Sequence, residues 1–185
     1  AYNVIERYRD LGGRLVFLSA NNFFWKVESD GSSLQRIRQW REEGRPESRL
    51  CGVQYLANDD GTRQGPYTVV AAEAAPWLFD KTGLATGSTF GETVGGFGIE
   101  IDATTTESPP GTVVLARVTD LFGAGRSGEM TYYETPAGAR VFAAGTLELY
   151  EWLDGNEDVR FLPVDVVNAP HAISANRNMV SINGA

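Results

Sequence analysis

The sequence predicts an α/β protein built on a parallel or mixed sheet, with additional β-strands and long loops. Three observations point there. An amphipathic helical pattern runs into Gly12-Gly13. The uncharged run Leu15 to Leu18 follows at once, too short for a helix and bounded by a turn signal, as a strand buried on both faces should be. Beyond it, short β-type runs recur between Gly- and Pro-rich breaks. Buried strands entered from amphipathic helices are typical of parallel sheets, whose two faces are both covered.

In chain order, Val4, Ile5, Tyr8 and Leu11 recur at helical spacing, with Glu6, Arg7, Arg9 and Asp10 opposite them. Gly12-Gly13 supplies the left-handed stop. The strand 15–18 then ends on Ser19-Ala20-Asn21-Asn22, small and turn-prone, and Phe23, Phe24 and Trp25 follow. Lys26-Val27-Glu28 extends an irregular strand, and Asp30 to Ser33 is a turn. Leu34, Ile37 and Trp40 fit either one helical face or an irregular strand. Glu43 to Ser48, with Gly44 and Pro46, breaks the pattern. Leu50 to Tyr55 and Pro66 to Val70 read as strands, and Trp77-Leu78-Phe79 as an apolar knot after Pro76. A glycine-rich loop region leads to the alternating strand Phe97 to Asp102, then to a polar loop with Pro109-Pro110 and the strand Thr112 to Val118. Glu129–Glu134 and Arg140–Ala144 flank a Pro/Gly turn and read as a hairpin. Thr146 is an N-cap candidate for a helix over Leu147 to Leu153. The tail beyond Asp154 is mixed.

At 185 residues the chain suits one domain, read as residues 1–185. A net charge of −8 with scattered basic residues excludes a nucleic-acid footprint, which needs clustered Lys and Arg. Arg36, Arg38, Arg41 and Arg45 alternate with Glu42, Glu43 and Glu47, as a solvated, paired face does. No apolar run reaches the roughly 18 residues of a membrane span. No signal peptide is visible, and with Cys51 the single cysteine, a reducing, cytoplasmic setting is favoured. The chain opens inside an amphipathic pattern without Met, as a piece of a longer protein would.

Nucleophilic chemistry has thin support. Ser19 follows a strand as an elbow serine would, but without flanking glycines, and His171 is the single histidine. Cys51 reads as a small buried apolar side chain. A zinc-type site is excluded by one His and one Cys, leaving side-chain oxygens such as Tyr132, Tyr133, Glu134, Glu47, Glu100 and Asp102. On a strand, Tyr132 and Glu134 share one face and Tyr133 takes the other.

Several segments together resemble the N,N-dimethylformamidase large (beta) subunit family in its C-terminal catalytic region. They are DLGGRLVFLSANNFFWKV, WREEGRPESRLCGVQY, PWLF…TG, GIEIDATT…SPPGTVVLAR, GEMTYYETPAGARVFAAGTL and the closing NAPHAIS. The resemblance implies a partial glutamine-amidotransferase-like (flavodoxin-like) α/β domain, the C-terminal part of a longer dimethylformamidase-like protein. It also implies an amidohydrolase in which iron, held by two tyrosines and a glutamate, activates water to cleave a small amide C–N bond. By the resemblance, one tyrosine would lie upstream of Ala1, and Gln35 stands near the glutamate's place, so this chain by itself is expected not to hold stoichiometric iron. The positions carried over as substrate-binding candidates are Asn21, Asn22 and Trp25 from the strand end, with Arg45 and Glu47 from Arg-Pro-Glu. Asn21 or Asn22 would orient the amide, and Trp25 with Phe23 would wall an apolar pocket.

Two other readings stand beside this one: a non-catalytic ligand-binding or assembly domain that has lost the metal, and a hydrolase based on Ser19. The expected partners are a small amide and either the upstream part of the same precursor or a second copy. The second expectation follows because strand 15–18, with no crossover strand before it, would otherwise be left at a sheet edge.

Overall fold

The structure is a computed structural model and describes residues 1–92, 96–147, 172–176 and 179–182. The elements run α1 (Tyr2–Asp10), β1 (Arg14–Phe17), β2 (Trp25–Ser29), β3 (Leu34–Gln39), a 3-10 turn (Trp40–Glu43), α2 (Ser48–Cys51) and β4 (Gln54–Asn58). They continue through β5 (Gln64–Gly65), β6 (Tyr67–Val69), a 3-10 turn (Ala72–Ala74), α3 (Pro76–Phe79), β7 (Thr89–Phe90), β8 (Phe97–Ala103) and β9 (Val113–Val118). Last come β10 (Gly128–Glu134), β11 (Arg140–Ala143), β12 (Thr146–Leu147), β13 (Ala172–Asn176) and β14 (Met179–Ile182). The chain is mixed α/β, mostly strand, with few helices among the described residues.

The main sheet has the order β14-β13-β1-β11-β10-β9-β6-β7. Its centre is parallel, since β1 pairs in that sense with both β11 and β13, and the flanking pairs are antiparallel. A second sheet runs β12-β8-β4, and β2 with β3 forms a separate hairpin. The sheet is therefore mixed, and β1 is central as its uncharged sequence requires. The expected bare edge is corrected: β1 has a neighbour on each side, one of them β13 from the tail.

The pleat divides the core. Leu15 and Phe17 face α1 and α2, packing with Tyr2, Ile5, Leu50, Cys51, Val141 and Tyr133. Val16 faces the other way, into Tyr67, Leu78, Met130, Tyr132 and Phe142. Side chains alternate across a strand, so one uncharged run feeds two apolar clusters. Tyr132 and Tyr133 fall on opposite faces, as the alternation predicts.

The first helix ends as its glycines dictate. The Gly13 N–H returns to Tyr8 O and the Gly12 N–H to Arg9 O, both at 2.9 Å, with Gly12 at φ +91°. Its buried face differs from the predicted one. Tyr2 and Ile5 point inward, whereas Val4 and Leu11 are exposed. The 100° step per residue puts Tyr2 with Ile5; Ile5 and Tyr8 of the expected stripe pack in that cluster, and Val4 and Leu11 fall outside it.

Two further expectations are corrected, and the apolar knot Trp77-Leu78-Phe79 is present in helical form, with Leu78 and Phe79 in the core and Trp77 packed against it. Ser48–Cys51 is a helical turn, capped by Gly52 at φ +84°, and the strand expected from Leu50 begins at Gln54. Trp77-Leu78-Phe79 is helical, opened by Pro76 at its first position. Thr146 is no helix cap: with Leu147 it pairs antiparallel to β8, and the rest of the expected helix, 148–153, lies outside the described residues. Leu34 and Ile37 resolve as strand, and Trp40 opens a 3-10 turn. No described helix is long and apolar enough to cross a membrane.

Candidate ligand crevice at a strand end

Where β1 and β11 end side by side, the chain makes two turns. The Ala144 N–H donates to Phe17 O at 2.8 Å, joining 144–146 to the segment that leaves β1. In open α/β sheets ligands bind outside the carboxyl ends of parallel strands, so this place is the first to inspect.

The turn is built from small and polar residues under backbone strain. Ser19 and Ala20 are fully buried, and the Ser19 hydroxyl donates to Ala20 O at 2.8 Å. Asn22 Nδ2 donates to Ser19 O at 2.6 Å and closes the turn. Asn21 and Phe23 both have positive φ, 59° and 55°. Asparagine tolerates that region, but for phenylalanine it costs of order 1–2 kcal/mol and persists only where packing imposes it. The packing is present: the Phe23 ring meets Tyr2 and Phe17 edge-on, with centroids 5.7 and 6.0 Å away. Phe23 is partly buried and packs as a wedge against the core beneath the turn.

Asp102, at the end of β8, holds the turn from below. Its two oxygens accept the Asn21 N–H at 2.9 and 3.0 Å. Its own N–H donates to Gly145 O at 2.8 Å, so one residue ties both turns together. Gly145 has φ +71°, and a Cβ there would stand 2.0 Å from Glu129 O. Nearby, the Tyr67 hydroxyl reaches Ala144 O and Thr146 Oγ1, each at 2.6 Å.

Three carboxyl groups converge electrostatically. Asp102 and Glu47 are each 1% exposed, and Glu47 is paired with Arg41 at 2.5 Å. Burial pushes Asp102 up from 3.8 to about 7; the Asn21 N–H opposes this, Glu47 and Glu100 reinforce it, and Arg41 opposes it. The Arg41 guanidinium also lies 4.9 Å from the centre of the Phe24 ring, which packs on Trp25 and Tyr55. Cys51 is wholly buried, and burial followed by Asp102 and Glu47 drives its thiol well above its ordinary value.

Of the five carried-over positions, the structure gathers four on this turn and its support. Asn21 and Asn22 form it, Trp25 follows with its ring partly exposed, and Glu47 lies beneath. Arg45 goes elsewhere. It donates to Asn3 Oδ1, pairs with Glu6 at 2.6 Å and stacks over Tyr2 at 4.1 Å, fastening α1. Arg45 and Glu47 therefore belong to two different ion pairs. Sequence reasoning missed Arg41 and the role of Asp102.

The residues present do not fit the implied iron. Tyr133 donates to Leu50 O at 2.7 Å on one face of the sheet, whereas Tyr132 donates to Glu134 Oε1 on the other. Two phenol oxygens separated by a sheet do not share one ion. Gln35 stands on β3, exposed and opposite Glu28. Among the described residues no group of three or more His, Cys, Asp or Glu is placed to hold a metal.

A separate cleft of about 950 Å³ lies by the opposite ends of the strands, between α1, the 106–110 loop and the β10–β11 turn. Its charges pair among themselves, Arg9 with Asp10 at 2.7 Å and Arg49 with Glu107 at 2.5 Å.

Comparison with known proteins gives two matches along the chain. The family described as N,N-dimethylformamidase beta subunit-like, C-terminal, matches residues 1–160. The family described as acetyl-CoA hydrolase/transferase C-terminal domain matches residues 145–185. The closing segment Asn168–Ser174 falls in the second match and outside the first, which corrects its assignment to the first family's pattern. The chain is also 52% identical over 42 residues to a succinyl-CoA:cyclohexane-1-carboxylate CoA transferase of Geobacter metallireducens, over 23% of this chain and 10% of that protein. It spans about a tenth of the length of that relative.

Proposed function

Because the chain belongs, over residues 1–160, to the N,N-dimethylformamidase beta subunit-like C-terminal family, we propose that it is a dimethylformamidase-related domain that binds a small amide at the end of β1. The observation that supports this most directly is Asn21. Its backbone is fixed by Asp102 while its side-chain Oδ1 is buried without a hydrogen-bond partner. A buried acceptor without a donor is costly, and the N–H of a small amide is the donor that matches it. Trp25 and Phe24 supply the adjoining apolar surface.

Amide binding, not turnover, is what we assign to the described residues. Hydrolysis through iron is what the family resemblance implies, and the donors for it are not assembled here. This favours the reading as a ligand-binding domain over an amidohydrolase complete in itself. The Ser19 reading is weaker still, since that hydroxyl is fully buried and engaged with Ala20 O, and His171 lies outside the described residues. The glutamine-amidotransferase-like arrangement stays part of the proposal, supported by the parallel trio β13-β1-β11.

The test is a titration of ¹⁵N-labelled chain with formamide, N-methylformamide and N,N-dimethylformamide. We expect saturable shifts at the Asn21, Asn22 and Phe24 amides. N–H-bearing amides should bind more tightly than the dialkylated one. No saturable shift with any of the three, or shifts confined to the cleft at the other end of the sheet, would overturn the reading.

A further inference from the structure

We propose that the β2–β3 hairpin is a dimerisation arm, whose β2 edge pairs antiparallel with β2 of a second copy of this chain. The surface lies outside the amide crevice, apart from Trp25, and the proposal stands without the ligand reading.

The hairpin is incomplete by itself. It is a two-stranded sheet of its own, and most of its side chains are exposed. Two strands alone are marginally stable in water, whereas three or more with an apolar face can hold. Among the described residues six large hydrophobic side chains are exposed, and four of them, Trp25, Val27, Leu34 and Ile37, lie here. Apolar side chains gathered in one exposed place mark an interaction surface. The register fixes the faces. Trp25, Val27 and Ser29 of β2 share one side with Leu34, Arg36 and Gln39 of β3, and the Arg36 guanidinium stands 5.7 Å from the centre of the Trp25 ring. Lys26 and Arg38 lie on the other side, where both meet Glu43, at 2.8 and 3.6 Å.

Charge decides which edge is open, and to what. β2 reads Trp25-Lys26-Val27-Glu28-Ser29. Turned antiparallel against itself about Val27, it sets Lys26 opposite Glu28 of the second copy, and Glu28 opposite the Lys26 of that copy. Val27 meets its own counterpart, with Trp25 on the diagonal, within reach of an aromatic ring. Every residue of the strand is paired and both charge pairs are unlike. Lys26 keeps Glu43 as well, since an ammonium has three donors. β3 refuses the same operation. Centred on Ile37, it would set Arg36 against Arg38 of the second copy, and like charges directly opposite are destabilising. Its edge is also bulged, because the register skips Ile37 between Arg38 and Arg36. The twofold axis therefore passes at Val27 and joins the hairpins into one sheet, β3-β2-β2-β3, with its apolar face shared by both copies. Such a contact is small and belongs to the weak class, below about 1,200 Å².

The experiment is analytical ultracentrifugation of the intact chain from about 1 μM to about 300 μM. We expect reversible monomer–dimer behaviour, weakened by added salt. Glu28→Lys and Lys26→Glu should each weaken dimerisation by about tenfold or more, because both facing pairs become like-charged. An equimolar mixture of the two variants should regain the wild-type association, because each copy then faces its opposite. The double variant Lys26→Glu/Glu28→Lys should regain it alone. Thermal unfolding of each variant distinguishes lost pairing from lost fold, and Glu28→Lys, which leaves the Lys26–Glu43 pair in place, keeps the test valid if Lys26→Glu does not fold. A wild-type chain that stays monomeric at every concentration would overturn the proposal. So would a dimer that Glu28→Lys does not weaken, or two folded variants whose mixture associates no better than either alone.

Discussion

Both carboxylate oxygens of Asp102 accept the backbone N–H of Asn21, at 2.9 and 3.0 Å, across 81 positions of chain. This contact links the ends of β8 and β1, and it makes stability depend on pH with a definite sign. Burial raises the Asp102 carboxyl to about 7, against 3.8 for the ordinary group. Between these values the folded chain holds a proton that the unfolded chain has lost. The contribution is complete below about pH 4 and disappears as pH rises through about 7. We therefore expect the melting temperature to fall from about pH 5 to about pH 8, and Asp102→Asn to flatten that slope. Differential scanning calorimetry on both chains checks it; parallel slopes would contradict it.

A second expectation concerns Arg41 and Glu47. The carboxylate is buried and the guanidinium is about a quarter exposed. Removing the cation alone leaves an uncompensated buried charge, costing about 2–4 kcal/mol. Arg41→Ala should destabilise by that much in urea unfolding, and adding Glu47→Gln should restore part of it. A double variant worse than the single one would show that Arg41 acts mainly through its packing on Phe24.

The sequence made the centre of this fold legible and left the site's support hidden, for physical reasons. Leu15 to Phe17 announced a buried strand because burial on both faces leaves no room for charge. Asn21 and Asn22 announced a turn because their side chains bond to nearby backbone, as Asn22 does with Ser19. Asp102 gave no comparable signal: its role depends on β8 arriving beside β1 from far along the chain. Arg41 and Arg45 look alike in sequence, yet one serves Glu47 and the other α1. Local spacing cannot assign partners among alternating charges.

Gly145→Ala should be among the most damaging single substitutions near the crevice. A methyl group at that position would lie 2.0 Å from Glu129 O, and φ +71° already disfavours it. Backbone atoms cannot swing aside, so the loss should exceed the roughly 1 kcal/mol of the conformational cost alone. Urea denaturation measures it directly. A change smaller than that would mean that the turn relaxes freely.

Cys51 should resist modification in the native state. It is wholly buried in α2 and its thiol is held protonated, whereas nucleophilic reaction needs thiolate. Iodoacetamide labelling should track unfolding, slow in buffer and rapid in denaturant. Fast stoichiometric labelling of folded protein would contradict the burial. Cys51→Ser and His171→Ala should likewise leave formamide binding intact, as read by the same amide shifts.

Purified chain should contain well under one equivalent of iron, because Tyr132 and Tyr133 diverge across the sheet and Gln35 stands on an exposed hairpin. Elemental analysis after incubation with ferrous or ferric salt and desalting checks it. One iron per chain would require a donor set other than the one described here.

The placement of β13 beside β1 sets the order in which this protein can be made. Both neighbours of β1 lie more than a hundred residues downstream, at Arg140–Ala143 and Ala172–Asn176. During synthesis β1 therefore leaves the ribosome more than a hundred residues before either neighbour and waits, with both its hydrogen-bonding edges bare, until they have followed. At about 5–20 residues per second that interval lasts several seconds or more, long enough for a chaperone to matter. Slowing translation between the codons for β1 and those for β11 should lower soluble yield, and supplying a chaperone that shields unpaired strands should restore it.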